Sequence, residues 1–245
     1  MAIAEITTST VQISQPDITL DAYLAQPQEP GTYPGIIVVQ EIFGVNEHIK
    51  DVTERIAREG YIAIAPAIYQ RQAPGFSVGY TPEEVTLGRK YKVATKATEL
   101  LADIQATTSY LTQLPNIKPG GVGTVGFCFG GHVVYLAAIL PEVTATASFY
   151  GAQIVNWCPG EDIPTIHRTK EITGTIYCFF GTEDPLIPNE QTDRIEAELQ
   201  QQKVTHQVLR YEGASHGFFC DRRDSYEPKA AEDSWRKMLD LFSRI

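Results

Sequence analysis

Cysteine is scarce in this chain of 245 residues: Cys128, Cys158, Cys178 and Cys220 are the only four, and no two form a C-x-x-C pair. That scarcity excludes a disulfide-stapled scaffold and points to free thiols in a reducing compartment, so a cytoplasmic protein is expected. No zinc-ligand spacing stands out, and neither a metal nor a cofactor is expected. Basic residues are outnumbered, 20 Lys and Arg against 30 Asp and Glu, and the net charge of −10 argues against holding nucleic-acid phosphates or an anionic membrane surface. No apolar run approaches the roughly 20 residues of a membrane-spanning helix. Met1-Ala2-Ile3-Ala4-Glu5-Ile6-Thr7-Thr8 has neither a cationic start nor a continuous apolar stretch, so no secretory leader is expected. With no internal repeat, low-complexity tract or shift in composition, residues 1–245 are expected to form a single domain.

What is present is a series of buried-strand patterns. Residues 5–14 and 18–25 alternate polar and apolar side chains around Gln15-Pro16-Asp17, an opening antiparallel hairpin. Gly35-Ile36-Ile37-Val38-Val39-Gln40 and Tyr61-Ile62-Ala63-Ile64-Ala65 are continuous apolar runs, as in strands covered on both faces. Between them, Ile49, Val52 and Ile56 lie on one helical face, giving a parallel crossover unit. Residues 71–86 hold Pro74, Gly75, Gly79 and Pro82 with little periodicity and are expected to form a long excursion of the kind that covers a site. One long helix is expected over 91–114, then strands at 144–150, 173–180 and 204–211 and helices at 190–202 and 229–245. The expected fold class is α/β: a mostly parallel eight-stranded sheet with helices on both faces.

The sharpest signal is Gly126-Phe127-Cys128-Phe129-Gly130-Gly131-His132, between a strand pattern and an apolar helix pattern. A strand that reverses abruptly into a helix needs residues without side chains beside the turn, and the residue at its tip is exposed at a helix N-terminus. There a thiolate is favoured by the helix dipole. Two more post-strand loops carry reactive groups: Asp184 in Gly181-Thr182-Glu183-Asp184-Pro185, and His216 in Gly213-Ala214-Ser215-His216-Gly217-Phe218. Ligands bind beyond the carboxyl ends of strands in such sheets. Nucleophile, acid and histidine come in the chain order of α/β-hydrolases, so Cys128, Asp184 and His216 are the expected catalytic residues. Taken singly, each is weak evidence, since glycine-flanked cysteines, Asp-Pro turns and loop histidines are common. Cys178 reads as a core residue, Cys158 and Cys220 as loop cysteines with no base nearby, and His48, His167 and His206 as solvated surface groups. His132 reads as a packing residue.

These residues resemble the dienelactone hydrolase (carboxymethylenebutenolidase) family. The likeness runs through most of the chain and rests on Gln40-Glu41-Ile42-Phe43-Gly44-Val45-Asn46, the turn around Cys128, Phe149-Tyr150-Gly151, Asp184-Pro185 and Ser215-His216-Gly217-Phe218, with Tyr69-Gln70-Arg71 a looser match. The resemblance implies an α/β-hydrolase fold, a Cys128–His216–Asp184 triad, and an oxyanion hole built from the backbone N–H groups of Ile42 and Phe129. It also implies that Glu41 keeps the resting thiol neutral until substrate displaces it. Substrate contacts are implied for Tyr150, Arg89 and Tyr91. The family's second arginine falls on Cys220, which leaves Arg222 or Arg223 to act from a shifted position, or an enzyme that does not select an anion.

The function expected is cysteine-dependent opening of a lactone such as dienelactone through an acyl-thioester, by a monomer acting on a small molecule without cofactors. The alternatives are a broader carboxylesterase or thioesterase, and a thiol redox or ligand-binding protein without turnover.

Overall fold

The computed structural model describes residues 4–245; Met1, Ala2 and Ile3, part of the stretch read for a leader, lie outside the described residues. The eight strands form one sheet in the order β1-β2-β4-β3-β5-β6-β7-β8. The hairpin is β1 (Ile6–Ser14) and β2 (Thr19–Pro27), and β2 pairs antiparallel with β4 (Ile62–Pro66). From β4 onward every pairing is parallel, through β3 (Gly35–Val39), β5 (Val122–Phe127), β6 (Val143–Phe149), β7 (Thr175–Gly181) and β8 (His206–Tyr211).

The continuous apolar runs are the strands with both faces covered. In β3, Ile36 and Val38 join the core beneath Ile49, Val52 and Ile56 of α1 (Glu47–Arg58). Ile37 and Val39 face the other core, with Leu100 and Ile104 of α3 (Ala97–Thr112). Helix α4 (Phe129–Ala137), buried along its whole length, packs on β5 and β6. Two amphipathic helices, α5 (Asn189–Gln201) and α6 (Pro228–Phe242), complete the layers.

The long helix expected over 91–114 is two. Helix α2 (Pro82–Val93) ends at Ala94, where the Thr95 hydroxyl donates to the Lys92 carbonyl at 2.7 Å, and α3 begins after Lys96 in extended conformation. The start of α2 falls inside the expected excursion. It is fixed by a reciprocal cap: Glu84 N–H donates to Thr81 Oγ1, and Thr81 N–H donates to Glu84 Oε2 at 2.9 Å. Gly88 lets α2 lie directly on the loop after β3, since a Cβ there would meet the Ile42 carbonyl oxygen at 2.2 Å.

Candidate active site

The turn between β5 and α4 is as tight as its glycines suggest. A Cβ on Gly126 would stand 2.1 Å from the Gly130 carbonyl oxygen, one on Gly130 would stand 2.3 Å from that of Val39, and one on Gly131 would stand 2.4 Å from that of Phe149. The strained backbone belongs to Cys128 itself, at φ 56 and ψ −114, a conformation that non-glycine residues rarely adopt. Its N–H donates to the Phe149 carbonyl at 3.0 Å, which anchors the turn to β6. Cys128 caps the N-terminus of α4, and Phe129, as the first helical residue, has an N–H without an intrahelical acceptor.

Asp184 and His216, from the loops after β7 and β8, meet as their order along the chain suggests. His216 Nδ1 lies 2.7 Å from Asp184 Oδ2, and both side chains are buried. A carboxylate only accepts, so Nδ1 carries a proton and donates it to Asp184. Asp184 is itself held, its Oδ1 accepting from the Leu186 N–H at 2.8 Å. His216 Nε2 is buried and makes no hydrogen bond of good geometry, yet the Cys128 thiol is near enough to act on the ring. Burial lowers the imidazole's pKa, but the Cys128 thiolate and the Asp184 carboxylate outweigh it and push it up to about 10.

Cys128 and His216 line a cavity of about 510 Å³ whose other walls include Ile42, Phe129, Arg89 and Lys92. Ile42 and Phe129 both line the cavity that holds the thiol. Arg223 also lines this cavity, whereas the exposed Arg222 lines only a neighbouring surface cleft. Tyr150 is wholly buried at φ 36; its ring stands edge-on to His216 at 5.1 Å, behind the cavity lining rather than in it. Tyr91 packs on Phe76 at 4.9 Å, away from the cavity lining.

Glu41 is buried, and its Oε1 accepts from Arg223 Nη1 at 3.2 Å. No hydrogen bond joins it to Cys128 among the described residues; its partner is a guanidinium, a strong donor to a carboxylate. The Arg223 pKa moves up: burial lowers it, and Glu41 together with Tyr150, Cys128 and Cys220 more than restores it.

Among the wall residues that the sequence patterns do not single out are Lys92, Gln153 and Trp157. Lys92 Nζ contacts Gln153 Oε1 and sits 4.7 Å from the Trp157 ring centre and 5.9 Å from that of Phe129. Burial lowers the Lys92 pKa, against the opposing pull of Cys128. Its signal was its place three residues after Arg89, one turn along the same helix face.

One of the histidine and cysteine readings needs correction. His48 is not a solvated surface group but is buried against Phe127 and Phe219, with neither ring nitrogen partnered. Cys158 and Cys220 are buried although they lie in loops, and Cys220 Sγ has the Tyr80 hydroxyl at 3.3 Å. His132 is a packing residue as read: its Nδ1–H donates to the Ala152 carbonyl at 2.8 Å and its Nε2 accepts from Thr165 at 2.7 Å.

Comparison with known proteins places this arrangement. A model of the dienelactone hydrolase family matches residues 20–245. A protein of Synechocystis sp. that bears the name carboxymethylenebutenolidase is 56% identical over 238 residues, 97% of each chain. A Bradyrhizobium protein named as a 2-oxo-3-(5-oxofuran-2-ylidene)propanoate lactonase is 29% identical, over 89% of this chain and 86% of its own. The crystal structure of a Klebsiella pneumoniae protein described as a dienelactone hydrolase superposes with a TM-score of 0.88 at 29% identity, over 98% of this chain and all of that one. The chain belongs to the dienelactone hydrolase family and is a hydrolase of ester or lactone bonds on the α/β-hydrolase fold.

Proposed function

We propose that the protein opens a small lactone bearing a carboxylate, with Cys128 as nucleophile. The observation that carries this reading is the cavity itself, which has Cys128 and His216 together at its base, apolar walls from Ile42, Phe129 and Val85, and cationic groups from Arg89, Lys92 and Arg223. Such a lining suits an apolar ring with an anionic tail.

In the proposed reaction, Cys128 Sγ attacks the lactone carbonyl carbon as a thiolate, its proton having gone to His216 Nε2. The oxygen of the tetrahedral intermediate is held by the N–H groups of Ile42 and Phe129; losing one such donor typically costs about 10²–10³ in rate. The ring C–O bond then breaks, and the leaving oxygen takes the proton from His216. Water, giving its proton to the same Nε2, attacks the thioester; the C–S bond breaks and Cys128 is released. Asp184 holds the tautomer and stabilises the imidazolium throughout. Glu41, by engaging Arg223, sets where that guanidinium can meet the substrate.

Steady-state hydrolysis of a dienelactone, a neutral lactone and an aryl ester tests the reading. The expected result is a preference for the dienelactone that falls about 10–100-fold in kcat/KM for Arg89→Met or Lys92→Met, as for a lost hydrogen bond to a charged group. Equal losses on the neutral substrates would contradict an anion clamp and favour a broader esterase.

A further inference from the structure

Behind the cavity lies a second cluster that spans three segments of the chain. Glu41 in the loop after β3, His48 in the first turn of α1 and Cys220 in the loop after β8 bring one donor atom each to within 4.8 Å of one another, all buried. Both ring nitrogens of His48, a residue 2% exposed, lack a partner, and so does Oε2 of Glu41, 1% exposed. Each unpartnered buried polar atom costs on the order of 1–3 kcal/mol, so several aimed at one point need an occupant.

We propose that Glu41, His48 and Cys220 bind a divalent transition-metal ion of borderline softness, of which Zn²⁺ is the representative. One thiolate, one imidazole and one carboxylate form a donor set suited to zinc, whereas magnesium and calcium take oxygen ligands. Across a tetrahedral ion with bonds of about 2.0–2.3 Å, ligand atoms stand roughly 3.3–3.8 Å apart, so side-chain movements of about 1 Å would bring the three donors onto the ion, with water as the fourth ligand. Arg223 occupies only Oε1 of Glu41, leaving Oε2 for the ion. The thiol of Cys220 gives its proton to solvent as the S–metal bond forms. Tyr80, beside Cys220, also lines a surface cleft with Arg223 and Ser225, an approach for the ion. Once bound, the ion would tie the loop carrying Ile42 to the loop that follows His216.

Cobalt titration of the chelator-treated protein, with Zn²⁺ in competition, tests the site without reference to turnover. The expected result is a thiolate-to-cobalt absorption band saturating at one equivalent and displaced by Zn²⁺, with Zn²⁺ raising Tm. The band should disappear in Cys220→Ser, persist in Cys128→Ser, and need at least about tenfold more cobalt in His48→Gln. If His48→Gln does not fold, the two cysteine variants decide the matter. A band that follows Cys128 rather than Cys220, or no band in the folded wild type, would overturn the proposal and leave ordered water as the occupant.

Discussion

Arg223 Nη1 donates to Glu41 Oε1 across 3.2 Å, joining residues 182 positions apart beside the thiol cavity. The Glu41 side chain is 1% exposed and that of Arg223 24%. Removing the guanidinium alone leaves a buried carboxylate uncompensated, a loss of about 3–5 kcal/mol in comparable pairs. Arg223→Gln should therefore lower the denaturant midpoint strongly, and adding Glu41→Gln should restore much of the loss. Simply additive losses in the double variant would show that the pair is not coupled.

Gly88 is where α2 rests on the Ile42 backbone. Gly88→Ala places a methyl where the Ile42 carbonyl stands, 2.2 Å away, so either α2 or the Ile42 loop must move. Displacing a proposed oxyanion donor by about 1 Å can cost on the order of 10² in rate. Gly88→Ala should lower kcat while a fold monitored by circular dichroism persists. An unchanged kcat would detach Ile42 from the chemistry.

His132 links stability to pH. Burial, only partly opposed by the bond to Ala152, holds its folded pKa down to about 4, against 6.5 for the free group. Between those values the unfolded chain binds a proton that the folded protein refuses. Its contribution is therefore full above about pH 6.5 and is lost as pH falls toward 4, at about 1.4 kcal/mol per unit of pH at most. The fall in Tm across this window should be shallower in His132→Asn than in wild type; parallel curves would assign the acid sensitivity to other groups.

Much of this architecture was legible because its signals are local. Continuous β-branched runs marked β3 and β4, and the glycine-flanked Cys128 marked the strand-to-helix turn. Asp184 and His216 were found from their places after strands, and they meet at 2.7 Å. The start of α2 was also written locally, in Thr81-Pro82-Glu83-Glu84, but the neighbouring glycines and prolines outweighed it. His48 stands at helical spacing with Val52 and Ile56, so its burial was readable from periodicity had histidine not been taken for a surface residue. The pairing of Glu41 with Arg223, and the gathering of Glu41, His48 and Cys220, had no such signal. They depend on how the loop after β8 packs against α1 and the loop before it, which no local pattern specifies.

The central claim is that Cys128 is the nucleophile. Mass spectrometry of the protein quenched during turnover of a dienelactone or a slow aryl ester tests it most directly, with Cys128→Ala in parallel. An acyl group on the peptide carrying Cys128, absent together with turnover in a folded Cys128→Ala, is the expected result. Continued hydrolysis by Cys128→Ala, or an adduct on Cys220 alone, would contradict it.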